Sequence, residues 1–285
     1  VVLSTLTQTV SFRSLHPTKF YRDYLNQDIR PDGRLVSKFR PVIINIGSIA
    51  TADGSALVRI GKTTVICGIK AELCPPKPEK PNEGFLICNV ELPPLCSSKF
   101  RPGPPSDLAQ ITTRFVADLI LNSGCINLKD LCIVKEKLVW CLYADIICLD
   151  HDGCIIDACL LVLLTALKTV RLPVVQYDAA IDKKTIDASV KKCLNIYNTP
   201  VSTTYAMFED KIITDPTTEE EEISSGLLTV VVKDKELCSI HKPGGSPLSE
   251  EKLYECINET VNHADLLITL INTAVSECND DNKNC

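Results

Sequence analysis

Between residues 42 and 73, apolar residues form three short runs that are rich in β-branched side chains. The dipeptides DG at 53–54 and GK at 61–62 separate these runs, and such pairs are typical of tight turns between antiparallel strands. The pattern therefore predicts a meander of three strands. A proline-rich loop follows, and a further strand is predicted near residues 85–92.

Two helices and one long strand are predicted in the middle of the chain. The helix over about 107–122 has one apolar stripe that we expect to pack on the sheet, formed by Leu108, Ile111, Phe115 and Leu119. The run 138–149 is almost continuously apolar, which is typical of a central strand buried on both faces. After a turn at 152–153, residues 155–170 are apolar nearly all around and predict a buried helix.

The second part of the chain repeats the order of strands followed by a helix. Two hairpins are predicted, over residues 201–213 and 227–241, and a closing helix runs from about Ser249, its N-cap, to Ser276. A short helix from Pro17 to about residue 26 precedes all of these elements. The predicted fold class is α+β with two related lobes.

Composition and charge change this picture only slightly. A hydrophobic content of 45% with 23% charged residues is that of a folded chain, and no apolar stretch is long enough for a membrane span. Residues 1–104 carry 14 Lys and Arg against 8 Asp and Glu, whereas residues 105–285 carry 16 against 28. The basic first third could meet phosphates, but a net charge of −6 gives no argument for a nucleic-acid binder that acts alone.

Fifteen cysteines make a thiol or metal protein one rival interpretation. The chain has no C-x-x-C motif, however, and its four histidines lie far apart in sequence, so no zinc site is indicated. Most of the cysteines lie in apolar runs, where a thiol behaves as a small hydrophobic group, and this suits a reducing compartment. We therefore expect no metal and no cofactor.

Several motifs resemble the RNase PH superfamily over roughly residues 17–270. They are RPDGR at 30–34, NIGS at 45–48, ADGSALVRIGKTTVICGIKAE at 52–72 and DGCIIDA at 152–158. The stretches ELPPLCSSKFRPGPP at 91–105, DLCI at 130–133 and HKPGGS at 241–246 are similar to the RNase PH-type ring subunits of the RNA exosome. The resemblance implies a first lobe like domain two of ribosomal protein S-five and a second lobe of the RNase PH C-terminal α/β type.

The resemblance also implies a division of the chain and a set of partners. The expected segments are an N-terminal extension (1–16), a helix and arm (17–34), a first domain (35–190), a second domain (191–277) and a tail (278–285). The expected partners are other RNase PH-like subunits in a hetero-hexameric ring, cap subunits with RNA-binding domains, and RNA, with no DNA and no membrane. The expected location is the cytoplasm and the nucleus, including the nucleolus.

Active members of this family degrade RNA from its 3′ end with inorganic phosphate, which needs hydrogen-bond donors and a cation around the phosphate and acidic groups nearby. The resemblance places the phosphate-binding triplet on Cys154, Ile155 and Ile156, and two isoleucine side chains neither donate hydrogen bonds nor carry charge. The family's aspartate pair has no counterpart in residues 188–200, although a shifted alignment could bring in Asp178, Asp182 or Asp187. We therefore predict a non-catalytic ring subunit that supports 3′-to-5′ RNA processing and decay, including rRNA maturation and mRNA turnover; an active phosphate-dependent exoribonuclease is the alternative.

If the chain touches RNA, the sequence favours Lys99 and Arg101 in the second proline-rich loop and Arg114 on the following helix. Phe100 between the two loop cations could offer a stacking face. The alternative interpretation is that these are ordinary solvent-exposed charges or partners in subunit interfaces.

Other polar residues are expected to have structural roles. Asp157 should accept hydrogen bonds from free N–H groups in the first turn of its helix, and Asp145 should be a satisfied buried carboxylate. The acidic run at 219–222 should be a solvated face that could repel RNA or meet a basic partner. The stretch 244–246, with Lys242, could bind an anion, but a simple loop is favoured.

Overall fold

A computed structural model describes residue 13, residues 15–178 and residues 183–281. Most of the expected extension (1–16), residues 282–285 of the expected tail and Asp182 therefore lie outside the described residues.

The first sheet has six strands, and its order is β1-β2-β3-β6-β4, with β5 paired to β6. Its strands are β1 (Val42–Ile46), β2 (Gly54–Ile60), β3 (Thr63–Cys74), β4 (Phe85–Glu91), β5 (Cys132–Val134) and β6 (Leu138–Asp150). The helices of this part are α1 (Pro17–Leu25), α2 (Asp107–Asn122), a short 3-10 helix (Leu128–Leu131) and α3 (Ile155–Thr169). The first three strands form the predicted antiparallel meander.

The second sheet has four strands in the order β10-β9-β11-β12, and all its pairs are antiparallel. These strands are β9 (Val201–Phe208), β10 (Lys211–Thr214), β11 (Gly226–Lys233) and β12 (Glu236–His241), joined by α4 (Thr218–Ile223) and followed by α5 (Glu250–Asp281). Both predicted hairpins are confirmed, and Ser249 caps the closing helix by accepting the N–H of Lys252 at 3.4 Å. A separate ribbon of β7 (Arg171–Asp178) and β8 (Lys183–Cys193), which the sequence reasoning missed, lies between the sheets in the chain order.

Helix α3 is the centre of the core, as its apolar composition predicted. Residues from Ala158 to Leu167 are all buried along this helix, which contacts strands β2 and β3 of the first sheet and β9 of the second. A helix that is apolar on every side is stable only when neighbours cover all of its faces. The two sheets thus share one hydrophobic core around α3.

Two expectations about burial were wrong. On α2 the buried residues are Ala109, Thr112, Val116, Leu119 and Ile120. The predicted stripe is therefore correct at Leu119 and in part at Phe115, which is half-buried and packs against the core. Small side chains at 109 and 112 let the helix approach strand β4 closely, and Leu108 and Ile111 are left exposed.

The second correction concerns β6. From Tyr143 onward its side chains alternate between the core and an uncovered sheet face, so Asp145 is exposed and is not a buried carboxylate.

The arm before β1 is fixed to the second sheet by buried guanidinium groups. Leu25 of α1 packs with Ala206, Phe208 and Ile213 in a small separate cluster. Arg30 is fully buried and donates to the carbonyl oxygens of Val36, Thr214 and Asp215. Arg40 forms a buried ion pair with Asp215, in which Nη2 lies 2.6 Å from Oδ1 and the Arg40 backbone N–H donates to Oδ2 at 2.8 Å.

Replacing Asp215 with Asn is expected to lower the free energy of unfolding by about 3 to 5 kcal/mol, because it leaves the buried Arg40 guanidinium without its counter-charge. Asp118→Asn breaks the exposed Arg114–Asp118 pair and is expected to change that free energy by about 0 to 1 kcal/mol. Urea denaturation of the full chain would measure both effects. Equal effects of the two substitutions would contradict the structural role of the Arg40–Asp215 pair.

Candidate functional site

The turn at residues 152–154 lies where the resemblance places the start of the phosphate-binding triplet. Hydrogen bonds from Thr63 and Arg40 fix its backbone. The Thr63 hydroxyl accepts the N–H of Asp152 at 3.0 Å and donates to the carbonyl oxygen of Gly153 at 2.8 Å. Arg40 donates to the carbonyl oxygen of Asp152 at 2.5 Å. The turn is therefore connected to both the first sheet and the Arg40–Asp215 pair.

The second domain covers this turn directly. Gly153 has a φ of +83°, and a Cβ atom there would lie 2.4 Å from the carbonyl oxygen of Pro216. Only glycine permits both this conformation and this close approach. The segment from Pro216 to Thr218 thus occupies the space next to the turn.

A carboxylate of the chain itself occupies the position of an anion at the start of α3. The Cys154 N–H donates to Oε1 of Glu221 at 2.7 Å, and Cys154 adopts a left-handed conformation with a φ of 52°. The positive end of a helix favours a negative group at this place. Burial raises the pKa of Glu221 to about 7, although the Cys154 N–H opposes the rise.

The side chains of the expected phosphate-binding triplet offer no groups that could bind phosphate. The Cys154 thiol is buried and donates to the carbonyl oxygen of Pro216 at 3.3 Å. Ile155 belongs to the main core, and Ile156 packs against that core. None of the three side chains offers a phosphate a charge or a free donor.

The expected hydrogen-bond partner of Asp157 was wrong. Its Oδ2 atom accepts the N–H of Thr204 on β9 at 2.7 Å, so the carboxylate links α3 to the second sheet and does not cap its own helix. Its Oδ1 atom has no hydrogen-bond partner among the described residues. Burial raises the pKa of Asp157 to about 6, although the nearby polar groups of Ser202 and Thr204 oppose the rise.

The acidic run at 219–222 is a solvated face only in part: Glu219 and Glu222 are exposed, but each of the four members has a specific partner. Glu220 is buried and lies 3.5 Å from Arg30, and Glu219 pairs with Arg13 and accepts the Tyr21 hydroxyl at 2.6 Å. Glu222 pairs with Lys99, and Glu221 accepts the Cys154 N–H. A cluster of like charges is tolerated here because cations and N–H groups surround it.

The three cations favoured for RNA contact have different surroundings. Lys99 is half-exposed and pairs with Glu222, whereas Arg101 is exposed and forms no ion pair among the described residues. Arg114 is 81% exposed on α2 and pairs with Asp118 at 2.7 Å. The loop that carries Lys99 and Arg101 reaches the turn region, since the carbonyl oxygen of Cys96 accepts the N–H of His151 at 3.1 Å.

Phe100 is less available for stacking than its sequence context suggested. It packs against the main core and meets the ring of His151 edge-on, with 5.6 Å between the ring centroids. His151 in turn contacts the Thr218 hydroxyl at 3.2 Å. Phe100 therefore anchors the proline-rich loop to the turn region.

The other candidate residues do not gather at the turn. Asp178 and Asp187 belong to the β7–β8 ribbon, whose strands pair only with each other, and Asp187 is exposed. At 244–246 the loop packs on the start of β11, where the Ser246 N–H donates to the carbonyl oxygen of Ser225 at 3.3 Å. Lys242 donates to the carbonyl oxygen of Gly244 at 2.7 Å, as in a simple loop.

Two further features concern metal binding and membrane spans. In the part of the chain that the structure describes, no three His, Cys, Asp or Glu side chains are grouped so that they could hold a metal ion. None of the helices in these ranges has the length and apolar character needed to cross a membrane.

Sequence reasoning missed the residues that define the turn. Thr63, Arg40 and Asp215 lie far from it in sequence, and nothing in the run of four glutamates distinguishes Glu221 from its neighbours. Only the folded chain brings these groups together.

Comparisons with known proteins agree with this architecture. Residues 38–173 match domain 1 of the 3′ exoribonuclease family RNase PH, and residues 198–262 match domain 2 of that family. The chain is 42% identical to exosome complex component rrp43 of Schizosaccharomyces pombe, over 86% of this chain and 92% of the relative. It is 34% identical to exosome complex component Rrp42 of Pyrococcus furiosus, over 91% of this chain and 95% of the relative.

A solved structure shows the same fold. A chain of the Archaeoglobus fulgidus exosome with RNA bound to the active site superimposes with a TM-score of 0.79 and 32% identity, over 88% of this chain and 96% of that one. Two matched domains, similar relatives over most of their length and a shared fold lead to one conclusion: this chain belongs to the RNase PH family of 3′ exoribonucleases.

Proposed function

We propose that this protein is a non-catalytic subunit of an RNA exosome ring, which supports assembly and the passage of RNA during 3′-to-5′ processing and decay. Its relatives are named exosome complex components, and the superimposed structures are exosome cores. Its partners would be other RNase PH-like ring subunits, cap subunits and RNA, in the cytoplasm and the nucleus, including the nucleolus.

The observation that carries the non-catalytic assignment is the contact between Glu221 and the Cys154 N–H at 2.7 Å. A phosphate at this position would have to displace a carboxylate that is already hydrogen-bonded there. It would also meet the buried isoleucine side chain at 155 and the backbone of Pro216. A phosphate that was buried there without hydrogen-bond donors would lose its hydration. The cost would be on the order of several kcal/mol, as for other unpaired buried polar groups.

Exposed apolar side chains support a place in an assembly. Large apolar residues are exposed on the loop before α2, on α2 itself, on the sheet face next to it and on α5; they include Leu95, Ile111, Ile87 and Leu266. Apolar surface of this kind is typical of chains that are covered by partner subunits.

The first prediction concerns catalysis. The purified full chain, incubated with RNA and inorganic phosphate, is expected to release no nucleoside diphosphates in a chromatographic assay, because the anion position is filled from within. Phosphate-dependent release that disappears in the variant Asp157→Asn would establish the alternative, an active phosphorolytic enzyme. Release that persists without phosphate would instead identify a contaminating hydrolytic nuclease, so a no-phosphate control is included.

The second prediction tests the position of Glu221 through the pH dependence of stability. Its folded pKa of about 7 lies above the ordinary value of 4.5, so its contribution to stability is full below about pH 4.5 and is lost as the pH rises through 7. The Gln side chain keeps an acceptor for the Cys154 N–H but has no charge. The stability of Glu221→Gln relative to the wild type, from denaturation at several pH values, should therefore increase between pH 5 and pH 8.

The matched control for this experiment is Glu222→Gln, because Glu222 is exposed and pairs with Lys99. Its stability relative to the wild type should not increase over the same pH range. An identical pH dependence of the two variants would contradict the partly buried position of Glu221.

The third prediction concerns RNA. We propose that Lys99 and Arg101 contact RNA phosphates at the rim of the turn region, with Arg114 as a further contact on α2. Lys99→Ala combined with Arg101→Ala should weaken crosslinking of RNA to the assembled ring and leave assembly intact. Lys77→Ala with Lys80→Ala, in the other proline-rich loop, is the control, and an equal loss in both pairs would refute a specific contact.

A further inference from the structure

A polar cavity lies at the opposite end of α3 from the turn at 152–154. It has a volume of about 290 Å³ and is bounded by the end of α3, the start of β7, the end of β8, the connection between β1 and β2, and the end of α5. It shares no lining residue with the turn at 152–154. Since α3 has 15 residues, the two places are about 20 Å apart along the helix at about 1.5 Å per residue.

Positive charge dominates the lining of this cavity. Three basic side chains contribute to it, Lys168, Arg171 and Lys191, and they come from α3, β7 and β8. The single carboxylate among its lining residues is that of Asp53, whose Oδ2 atom accepts the N–H of Ala71 at 2.9 Å. The cavity is therefore a basic site on a chain of negative net charge.

Lys168 is the central observation. Lys168 is half-buried as a residue, and its ammonium group donates to the neutral amide oxygen of Asn272 at 2.9 Å in a solvent-exposed hydrogen bond. Burial lowers the pKa of Lys168, and no carboxylate opposes this effect. Lys168 and Lys191 form no ion pair with any residue that the structure describes. An ammonium group that has lost part of its water without gaining a counter-charge is suited to an external anion.

We propose that this cavity binds a phosphate monoester, either that of a nucleotide or the terminal phosphate of an RNA strand. Two uncompensated ammonium groups match the double charge of a phosphate monoester near neutral pH better than the single charge of a carboxylate. The apolar side chains of Ile46, Ile49 and Val275 line the rest of the cavity and would contact the sugar or base. A volume of about 290 Å³ lies close to the lower end of the range for small-ligand sites.

Equilibrium dialysis with the full chain tests this proposal, with adenosine 5′-monophosphate as the labelled probe and adenosine as the ligand without phosphate. The monophosphate should bind and adenosine should not. Lys168→Gln, which keeps the contact to Asn272, should weaken binding by about tenfold, and Lys191→Gln by about fivefold, because each removes a charge-assisted contact. Since Lys191 is exposed, its variant tests the site even if Lys168→Gln does not fold.

Lys192→Gln is the matched control, because Lys192 is the next residue on β8 and lines a different cavity. It should leave the affinity within about twofold. Competition by RNA oligonucleotides with and without a 5′-phosphate separates the two sources. If only the phosphorylated strand competes, the ligand is the end of an RNA strand. If neither strand competes, the ligand is a free nucleotide. The proposal is wrong if adenosine binds as well as the monophosphate, if Lys191→Gln and Lys192→Gln have equal effects, or if an acidic peptide binds and no phosphate ligand does.

This test measures binding alone. Its outcome is therefore independent of whether the chain degrades RNA, and a negative result here would leave the proposed ring function untouched.

Discussion

The buried ion pair between Arg40 and Asp215 is the constraint on which the site depends. Arg40 lies just before β1, Asp215 just after β10, and the same guanidinium donates to the carbonyl oxygen of Asp152. One side chain thus joins the first sheet, the turn and the corner of the second sheet. Burial alone would raise the pKa of Asp215, but the Arg40 guanidinium outweighs it and holds that pKa below its usual value, so both partners stay charged.

The residues that follow Asp215 cross the turn at 152–154. Asp215 adopts a left-handed φ of 51°, Pro216 passes against Gly153, and α4 then places Glu221 at the start of α3. A helix start with an unpaired N–H in a covered site would be unfavourable, because the orphan donor loses its water. Glu221 satisfies this donor from within the chain, so a carboxyl group of the second sheet's neighbouring helix α4 closes the start of α3.

The sequence predicted most of the strands and helices because these have a strong period and clear turn residues, as in the meander at 42–73 and the apolar helix α3, but it missed the β7–β8 ribbon. It failed where burial depends on a neighbour's size or absence. Ala109 and Thr112 face the sheet on α2 because they are small, and Asp145 is exposed because no helix covers that face of β6. At the site, the sequence predicted that Ile155 and Ile156 offer no ligand to a phosphate. It could not predict the contact of the Cys154 N–H with Glu221, which lies 67 positions away and is one of four adjacent glutamates.

Net charge conceals how the cations of this chain are distributed. The chain carries a charge of −6, yet most acidic groups near the turn are engaged by Arg13, Arg30, Arg40 and Lys99, whereas Lys168 and Lys191 have no carboxylate partner among the described residues. Charges that are paired contribute little field beyond their partners, while unpaired cations in a recess attract anions at short range. For contact with an anionic ligand, the position of a few cations without a carboxylate partner therefore matters more than the net charge of the whole chain.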